Sequence, residues 1–129
     1  AGGHGTMFDF PHHTTLGALL ADTLEGCGIV AAVCHGPAAF VGARFSDGSP
    51  LVGGCRVTGF SWPEEKMAGR DTVVPFRLDQ ALKDEGARYT KALLPMTEKV
   101  VQDGRLVTGQ NPMSAAGVAK AVVKLLKKH

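Results

Sequence analysis

A cysteine directly follows a short apolar run in the segment AAVCHGP, residues 31–37. The unbroken apolar residues 29–33 are typical of a strand buried on both faces of a parallel sheet, and the glycine and proline after them indicate the start of a helix. A side chain at such a turn stands at the carboxyl edge of the sheet, over a helix N-terminus, as in a nucleophile elbow. The positive partial charge of the helix end would favour a thiolate. We therefore predict that Cys34 is a nucleophile, although most free cysteines are simply small buried hydrophobes.

A thiol nucleophile needs a base, and the chain has five histidines. His4 lies in a glycine-rich loop and His35 is next to the cysteine, so either could take the thiol proton, and the spacing alone does not separate them. His12 and His13 precede a predicted helix, with no third metal ligand at a recognisable spacing, and we expect them at the surface. His129 ends a basic tail and is expected to be solvated.

An orienting carboxylate is the third requirement of such a site. Glu64 and Glu65 follow a predicted strand at 56–60, so the same sheet edge would present them, although acids are common in the first turn of any helix. The pair Gly2-Gly3 is a candidate oxyanion hole, because glycines let backbone N–H groups approach a reacting oxygen closely. Glycine pairs are more often only turns, so this signal is weak without a partner.

The segment GQNP, residues 109–112, closes another predicted strand and could border the same pocket, with Asn111 and Pro112 as substrate-binding residues. Its other role would be a helix entry, in which Asn111 is the N-cap and Pro112 takes the first helical position. The spacing leaves both roles open.

Helices and short strands alternate along the chain, which predicts an α/β layered fold. The glycine-rich residues 1–5 resemble a loop that follows a strand, and few buried strands are present for an open sheet. We therefore expect residues 1–129 to be the C-terminal portion of a single domain that lacks two or three βα units of about 30 residues each; the alternative is a small complete domain. Apolar spacing predicts helices at 14–25, 36–41, 63–68, 76–85 and 112–128, strands at 29–33 and 56–60, and a hairpin with an Asp-Gly turn at 100–108.

The composition is that of a globular protein, with 44% hydrophobic and 20% charged residues in a chain of 129. A net charge of +2 from dispersed basic residues argues against nucleic-acid binding. We expect no membrane span and no signal peptide, since no apolar run approaches about 18 residues. Cys27, Cys34 and Cys55 form no C-x-x-C pair, which predicts reduced thiols and a cytoplasmic location. No motif indicates an organic cofactor, and we expect no metal.

Four blocks of sequence together resemble the ThiJ/PfpI superfamily, in its branch of heat-inducible chaperones and glutathione-independent glyoxalases (glyoxalase III). They cover essentially the whole chain in the family's order: GGHGTMFD at 2–9, AAVCHGP at 31–37, VTGF at 57–60 and DGRLVTGQNP at 103–112. The resemblance implies a flavodoxin-like α/β sandwich with a mostly parallel sheet, similar to that of class I glutamine amidotransferases, and a homodimer.

The resemblance also implies roles that the spacing leaves open. Cys34 matches the family nucleophile, His35 the triad histidine, and Glu65 rather than Glu64 the triad acid. Gly2 and Gly3, with the backbone N–H of His35, match the oxyanion hole, and His4 would line the substrate pocket.

The reaction that the resemblance implies is the conversion of a small aldehyde, methylglyoxal, to D-lactate without glutathione, as in a D-lactate dehydratase. Cys34 would add to the aldehyde as a hemithioacetal, and a base would move a proton between the two carbons. The family is also associated with protein deglycase activity. It carries a further glutamate near the end of its first strand, bonded to the nucleophile. No residue of this chain matches it, so we expect an N-terminal half, as a companion chain or a further segment, to supply it.

Other functions remain open at this point. The chain could be a stress-response holdase chaperone or a redox-sensing protein without turnover, a cysteine peptidase of the same superfamily, or an inactive split product. A glutamine amidotransferase is disfavoured, because that class needs a His-x-Glu near the C-terminus, where this chain has only His129. Aggregation suppression that survives Cys34→Ser while aldehyde turnover is lost would separate chaperone from enzyme.

Overall fold

The computed structural model describes residues 1–128, so the predicted position of His129 lies outside the described residues. Short helices alternate with short strands along them, which confirms the predicted α/β class. The elements are α1 Thr6–Asp9, α2 Thr14–Glu25, β1 Val30–Val33, a 3₁₀ helix Gly36–Phe40, β2 Arg56–Val57, α3 Trp62–Met67, α4 Leu78–Asp84, β3 Arg88–Tyr89, β4 Val100–Asp103, β5 Leu106–Gly109, a 3₁₀ helix Pro112–Ser114 and α5 Ala115–Lys127.

The larger sheet has the strand order β1-β5-β4. Strand β1 runs parallel to β5, with Val30 opposite Leu106, and β4 pairs antiparallel with β5 through the predicted hairpin. A second sheet consists of β2 and β3, which are parallel. The larger sheet is therefore mixed, because the two-residue turn of the hairpin reverses the chain, whereas the two parallel pairs are joined by longer crossovers.

Strand β2 is shorter than the predicted strand at 56–60. The N–H of Thr58 donates to the side-chain Oγ1 of Thr108 at 2.9 Å. The N–H of Phe60 donates to the carbonyl of Cys34 at 2.8 Å. These two bonds fasten the segment to the carboxyl ends of β5 and β1, and helix α3 begins directly after it.

Helix α2 has the predicted bounds. The ring Nδ1 of His13 caps its N-terminus by accepting the N–H of Leu16 at 3.1 Å. Leu16, Leu20 and Leu24 pack against the core. Leu19 was predicted on the same apolar stripe, but its side chain is 62% exposed. The other three leucines are spaced by four residues and share one face of the helix, and Leu19 lies off that face.

The predicted helix at 112–128 begins as a 3₁₀ helix and becomes α-helical at Ala115. Val118 and Leu125 are buried, but Leu126, predicted on the same stripe, is 60% exposed. The short elements α1 and β3 were not predicted, because four and two residues are too few to show a periodic pattern. In the described part of the chain, each helix is too short or too polar to cross a membrane.

One edge of strand β1 is open. Its ladder partner is β5, and on its other side only the isolated pairing of Gly2 with Cys34 is formed among residues 1–128. Ala31 is exposed at this edge. A groove of about 210 Å³ runs beside it, lined by apolar side chains that include Phe10 and Leu20. An unpaired strand next to an apolar groove is a surface that a further chain segment can cover.

Candidate active site

The turn after β1 holds Cys34 in a conformation that is unusual for a residue with a side chain. Its φ is 64°, in the left-handed region that costs free energy outside glycine. Its N–H donates to the carbonyl of Gly109 at 2.9 Å, which holds it at the carboxyl edge of the sheet. The helix that follows is a five-residue 3₁₀ helix, Gly36–Phe40, where the sequence predicted a helix at 36–41. The strand, turn and helix of a nucleophile elbow are nevertheless present.

Cys34, His35 and Glu65 are connected by two hydrogen-bond contacts. The Sγ of Cys34 lies 3.3 Å from Nδ1 of His35, and the Nε2 of that ring lies 2.9 Å from Oε2 of Glu65. His35 and Glu65 are buried, while Cys34 is partly exposed. A carboxylate can only accept hydrogen bonds, so Nε2 of His35 carries the ring hydrogen and Nδ1 is left to accept the proton of the thiol. The arrangement can therefore activate the thiol by general base catalysis.

His4 shares the same carboxylate. Its Nε2 lies 2.5 Å from Oε1 of Glu65, and its ring centroid is 4.0 Å from that of His35. The imidazole is about one-third exposed, so it forms the solvent-facing side of the cluster. Of the two histidines that the spacing left open as the partner of Cys34, His35 is the one in contact with the sulfur.

The glycine loop lies beside the nucleophile. Gly2 pairs in parallel with Cys34, and a Cβ on Gly2 would collide with the side chain of Thr6. The hydroxyl of Thr6 donates to the carbonyls of Gly3 and His35, at 2.8 and 3.1 Å. A side chain at position 2 would therefore displace the side chain of Thr6. That Gly2, Gly3 and the N–H of His35 form an oxyanion hole stays a prediction.

Residues 1–125 match the DJ-1/PfpI family. The chain belongs to this family. The match spans nearly the whole chain and includes the glycine loop, the elbow and α3, as the four sequence blocks predicted.

Several relatives are glyoxalases by name. The chain is 43% identical to the probable glutathione-independent glyoxalase hsp3103 of Schizosaccharomyces pombe, covering 98% of this chain and 51% of that protein. It is 38% identical to the glutathione-independent glyoxalase HSP31 of Saccharomyces cerevisiae, covering 97% and 55%. The crystal structure of glyoxalase III from Candida albicans superimposes with a TM-score of 0.92 and 35% identity, over 97% of this chain and 54% of that one. The structural match confirms the predicted flavodoxin-like fold, and the chain spans about half the length of the curated relatives it matches.

The thiol of this DJ-1/PfpI chain is protonated at neutral pH. Burial raises the pKa of Cys34 to about 11, with smaller increases from the charges of Glu64 and Glu65, against one hydrogen bond from the backbone at His35 that lowers it. Burial also lowers the pKa of His35. The prediction that the helix end favours a thiolate is therefore wrong for this structure, because desolvation of the sulfur outweighs one short 3₁₀ turn. The resting pair is a neutral thiol beside a neutral imidazole.

The protonated thiol predicts slow alkylation of Cys34 by iodoacetamide at neutral pH. The rate should rise about tenfold per pH unit between pH 7 and pH 9 without levelling off, because only the thiolate reacts and the pKa is near 11. Peptide mass spectrometry after timed quenching measures it, with the exposed Cys27 of the same chain as the reference thiol. A Cys34 rate that is already constant below pH 8 would contradict the protonated state.

The DJ-1/PfpI fold also contains a second buried polar cluster, centred on Glu64. Its carboxylate accepts from the side-chain amides of Gln110 and Asn111, each at 2.8 Å. Asn111 has no exposed surface, and it also donates to the carbonyl of Thr97. An amide held in this way contacts no solvent from which a substrate could arrive, so the predicted substrate contact of Asn111 finds no support in the geometry. No pattern in the sequence indicated that Gln110 takes part in this cluster.

Other predicted positions lie as follows. Pro112 is exposed at the first position of its 3₁₀ helix, and its contact with substrate stays a prediction. His12 and His13 are exposed, as expected. The three cysteines are free, which agrees with reduced thiols. Within residues 1–128, the donor atoms of His4, His35 and Glu65 lie within 4.8 Å of one another and could hold a metal ion.

Proposed function

We propose that this chain carries the reacting residues of a glutathione-independent glyoxalase that converts methylglyoxal to D-lactate. The observation that carries the proposal is the connection of a partly exposed thiol, through one imidazole, to a buried carboxylate. The names of the relatives support the substrate class. The chain's own cysteine would take the place of the glutathione thiol.

The first step is addition of the sulfur of Cys34 to the aldehyde carbon. The thiol proton passes to Nδ1 of His35 while the new C–S bond forms, and the electron pair of the C=O bond moves to its oxygen. Glu65 stabilises the resulting imidazolium by accepting its Nε2–H. Backbone N–H groups of the Gly2–Gly3 loop would stabilise the oxyanion, which then takes the proton back from the ring and becomes the hemithioacetal.

The second step is an internal oxidation and reduction. A base removes the hydrogen from the former aldehyde carbon, the electron pair moves toward the neighbouring ketone, and the enediol is reprotonated at that neighbouring carbon. One carbon is oxidised to a thioester and the other is reduced to an alcohol, so no external oxidant is needed. Water then cleaves the thioester, which releases lactate and restores the thiol. Within the described residues, the imidazoles of His4 and His35 lie at the cluster, and either could act as the base of this second step.

The proposed enzyme also includes an N-terminal half, as a companion chain or a further segment. The open edge of β1 and its apolar groove are surfaces on which an N-terminal half could add strands, and homodimer formation is proposed with it. The free cysteines support a cytoplasmic location. A redox-sensing role is disfavoured, because oxidation proceeds through the thiolate and the pKa of Cys34 is raised.

The proposal predicts D-lactate formation from methylglyoxal in the absence of glutathione. Denaturing and native mass spectrometry first establish what the sample contains, and we expect a second polypeptide of roughly 60 to 100 residues, the size of two or three βα units. Enantiomer-specific lactate detection then measures the product. A sample that contains this second polypeptide and makes no D-lactate would contradict the proposal. If the sample contains only the 13.5 kDa chain, the chain is mixed with a polypeptide that carries the proposed N-terminal half. D-lactate formation is then compared with and without that polypeptide.

A further inference from the structure

Three metal-binding side chains converge at the cluster from three separate parts of the chain. His4 comes from the loop before α1, His35 from the turn after β1, and Glu65 from helix α3. Their donor atoms lie within 4.8 Å of one another. Two imidazoles and one carboxylate are a ligand set that zinc accepts in proteins, usually with a fourth position left open.

We propose that His4, His35 and Glu65 bind one Zn²⁺ ion, through the two Nε2 atoms and a carboxylate oxygen, with the fourth position facing solvent. The two Nε2 atoms now lie 2.5 and 2.9 Å from the oxygens of Glu65. Zinc–ligand bonds of about 2.0 to 2.2 Å place neighbouring tetrahedral ligands about 3.3 Å apart. Outward shifts of less than about 1 Å in these two contacts bring each nitrogen to that spacing from its carboxylate oxygen.

The orientation of the two rings suits a metal. Imidazole binds metals in its neutral form, and the Nε2 atoms of both rings face the carboxylate of Glu65. Each neutral ring keeps its single hydrogen, which moves from Nε2 to Nδ1 when the ion takes Nε2. On His35 that hydrogen can then be donated to the sulfur of Cys34, which lies 3.3 Å from Nδ1.

The ion has a path to the cluster, because the imidazole of His4 is about one-third exposed. The sulfur lies against the other nitrogen of His35, on the side away from the carboxylate, so it is not one of the ligands. Zinc on Nε2 leaves Nδ1 protonated and removes the base that the thiol needs. Inhibition of turnover by zinc rests on the proposed function, whereas the binding of zinc does not.

The test measures Zn²⁺ affinity by competition with a chromophoric chelator, in the 129-residue chain carrying Cys34→Ser. This background removes both the thiol as a ligand and any turnover. We expect one equivalent of Zn²⁺ to bind. Adding His4→Gln should weaken binding at least about 100-fold, because even the loss of an outer-shell partner costs roughly 10- to 100-fold. His12→Gln, which changes an exposed histidine outside the cluster, is the matched control and should leave affinity unchanged.

Cobalt provides an independent measurement in the unmutated protein. Co²⁺ at the site should give the visible bands of a four-coordinate ion with nitrogen and oxygen ligands, without a sulfur-to-cobalt charge-transfer band. A charge-transfer band, equal affinity after His4→Gln, or loss of affinity after His12→Gln overturns the proposed site. Zinc binding in a protein that makes no D-lactate would leave this site standing and reject the proposed function alone.

Discussion

Replacing Cys34 by serine is expected to lower methylglyoxal turnover at least about 10³-fold, because the serine hydroxyl neither forms the thioester nor ionises like a thiol. The neighbouring contacts to His35 are kept by a side chain of nearly the same shape. The fold should therefore be unchanged, and the loss should appear in kcat. Steady-state D-lactate formation, with the circular dichroism spectrum beside it, measures both.

Cys27→Ser is the matched control for this variant. Cys27 is exposed, lies after helix α2, and has no place in the cluster. Its replacement should leave turnover within the error of the assay. Turnover that persists in Cys34→Ser, or that is lost equally in Cys27→Ser, rejects Cys34 as the nucleophile.

The elbow and helix α2 could be predicted because their signals are local. An apolar run followed by Cys34, a glycine and a proline describes one turn of chain, and the leucines of α2 repeat at helical spacing. The attachment of the segment after β2 to β5 could not be predicted, because it is a bond between Thr58 and Thr108, fifty residues apart. A local sequence pattern does not show which distant oxygen will accept a hydrogen bond from a given backbone N–H.

The roles of the paired acids show where residue spacing alone is insufficient. Successive residues of a helix differ by about 100° in direction, so Glu64 and Glu65 of α3 point to different partners. Ser61 caps the helix and accepts the N–H of Glu64, which fixes the rotation of α3. Glu65 then meets His35, and Glu64 meets Gln110. The family resemblance favoured Glu65, whereas composition and spacing left the choice open.

The protonation of the thiol was predicted incorrectly for a related reason. The helix start after Cys34 is visible in the sequence. The burial of its sulfur is not, because the residues that surround it are distant in the sequence and come together only in the folded chain. Desolvation is the largest contribution to the pKa of Cys34. A helix end by itself therefore does not establish a thiolate.

Glu64→Gln is expected to lower the free energy of unfolding by about 3 kcal/mol, because it leaves buried donors facing another donor. The carboxylate of Glu64 has no exposed surface. One oxygen accepts from the N–H and hydroxyl of Ser61 and from Gln110, and the other accepts from the N–H of Met96 and from Asn111. An amide in its place can accept at only one end, so its NH₂ group opposes at least two of these donors.

The pH dependence of this decrease in the free energy of unfolding shows whether the charge of Glu64 or only the shape of its side chain stabilises the fold. Burial alone would raise the pKa of Glu64, but the hydrogen bonds from Ser61, Gln110 and Asn111 and from the N–H of Met96 together outweigh it, and the pKa lies below its ordinary value. A folded-state pKa below the unfolded one means that the unfolded chain binds the proton more readily. The stabilisation by Glu64 is thus complete above the unfolded pKa and is lost as the pH falls through the folded one.

Urea unfolding of the wild-type chain and Glu64→Gln between pH 3 and pH 8 measures this difference. The gap should be full above about pH 5 and shrink as the pH falls. Glu98→Gln, at an exposed glutamate, should stay within about 0.5 kcal/mol of wild type at every pH. A gap that is independent of pH would show that shape and not charge stabilises the cluster. Because the charge of Glu64 also raises the pKa of Cys34, the same variant should alkylate faster at Cys34, and this ties the buried cluster to the reactivity of the thiol.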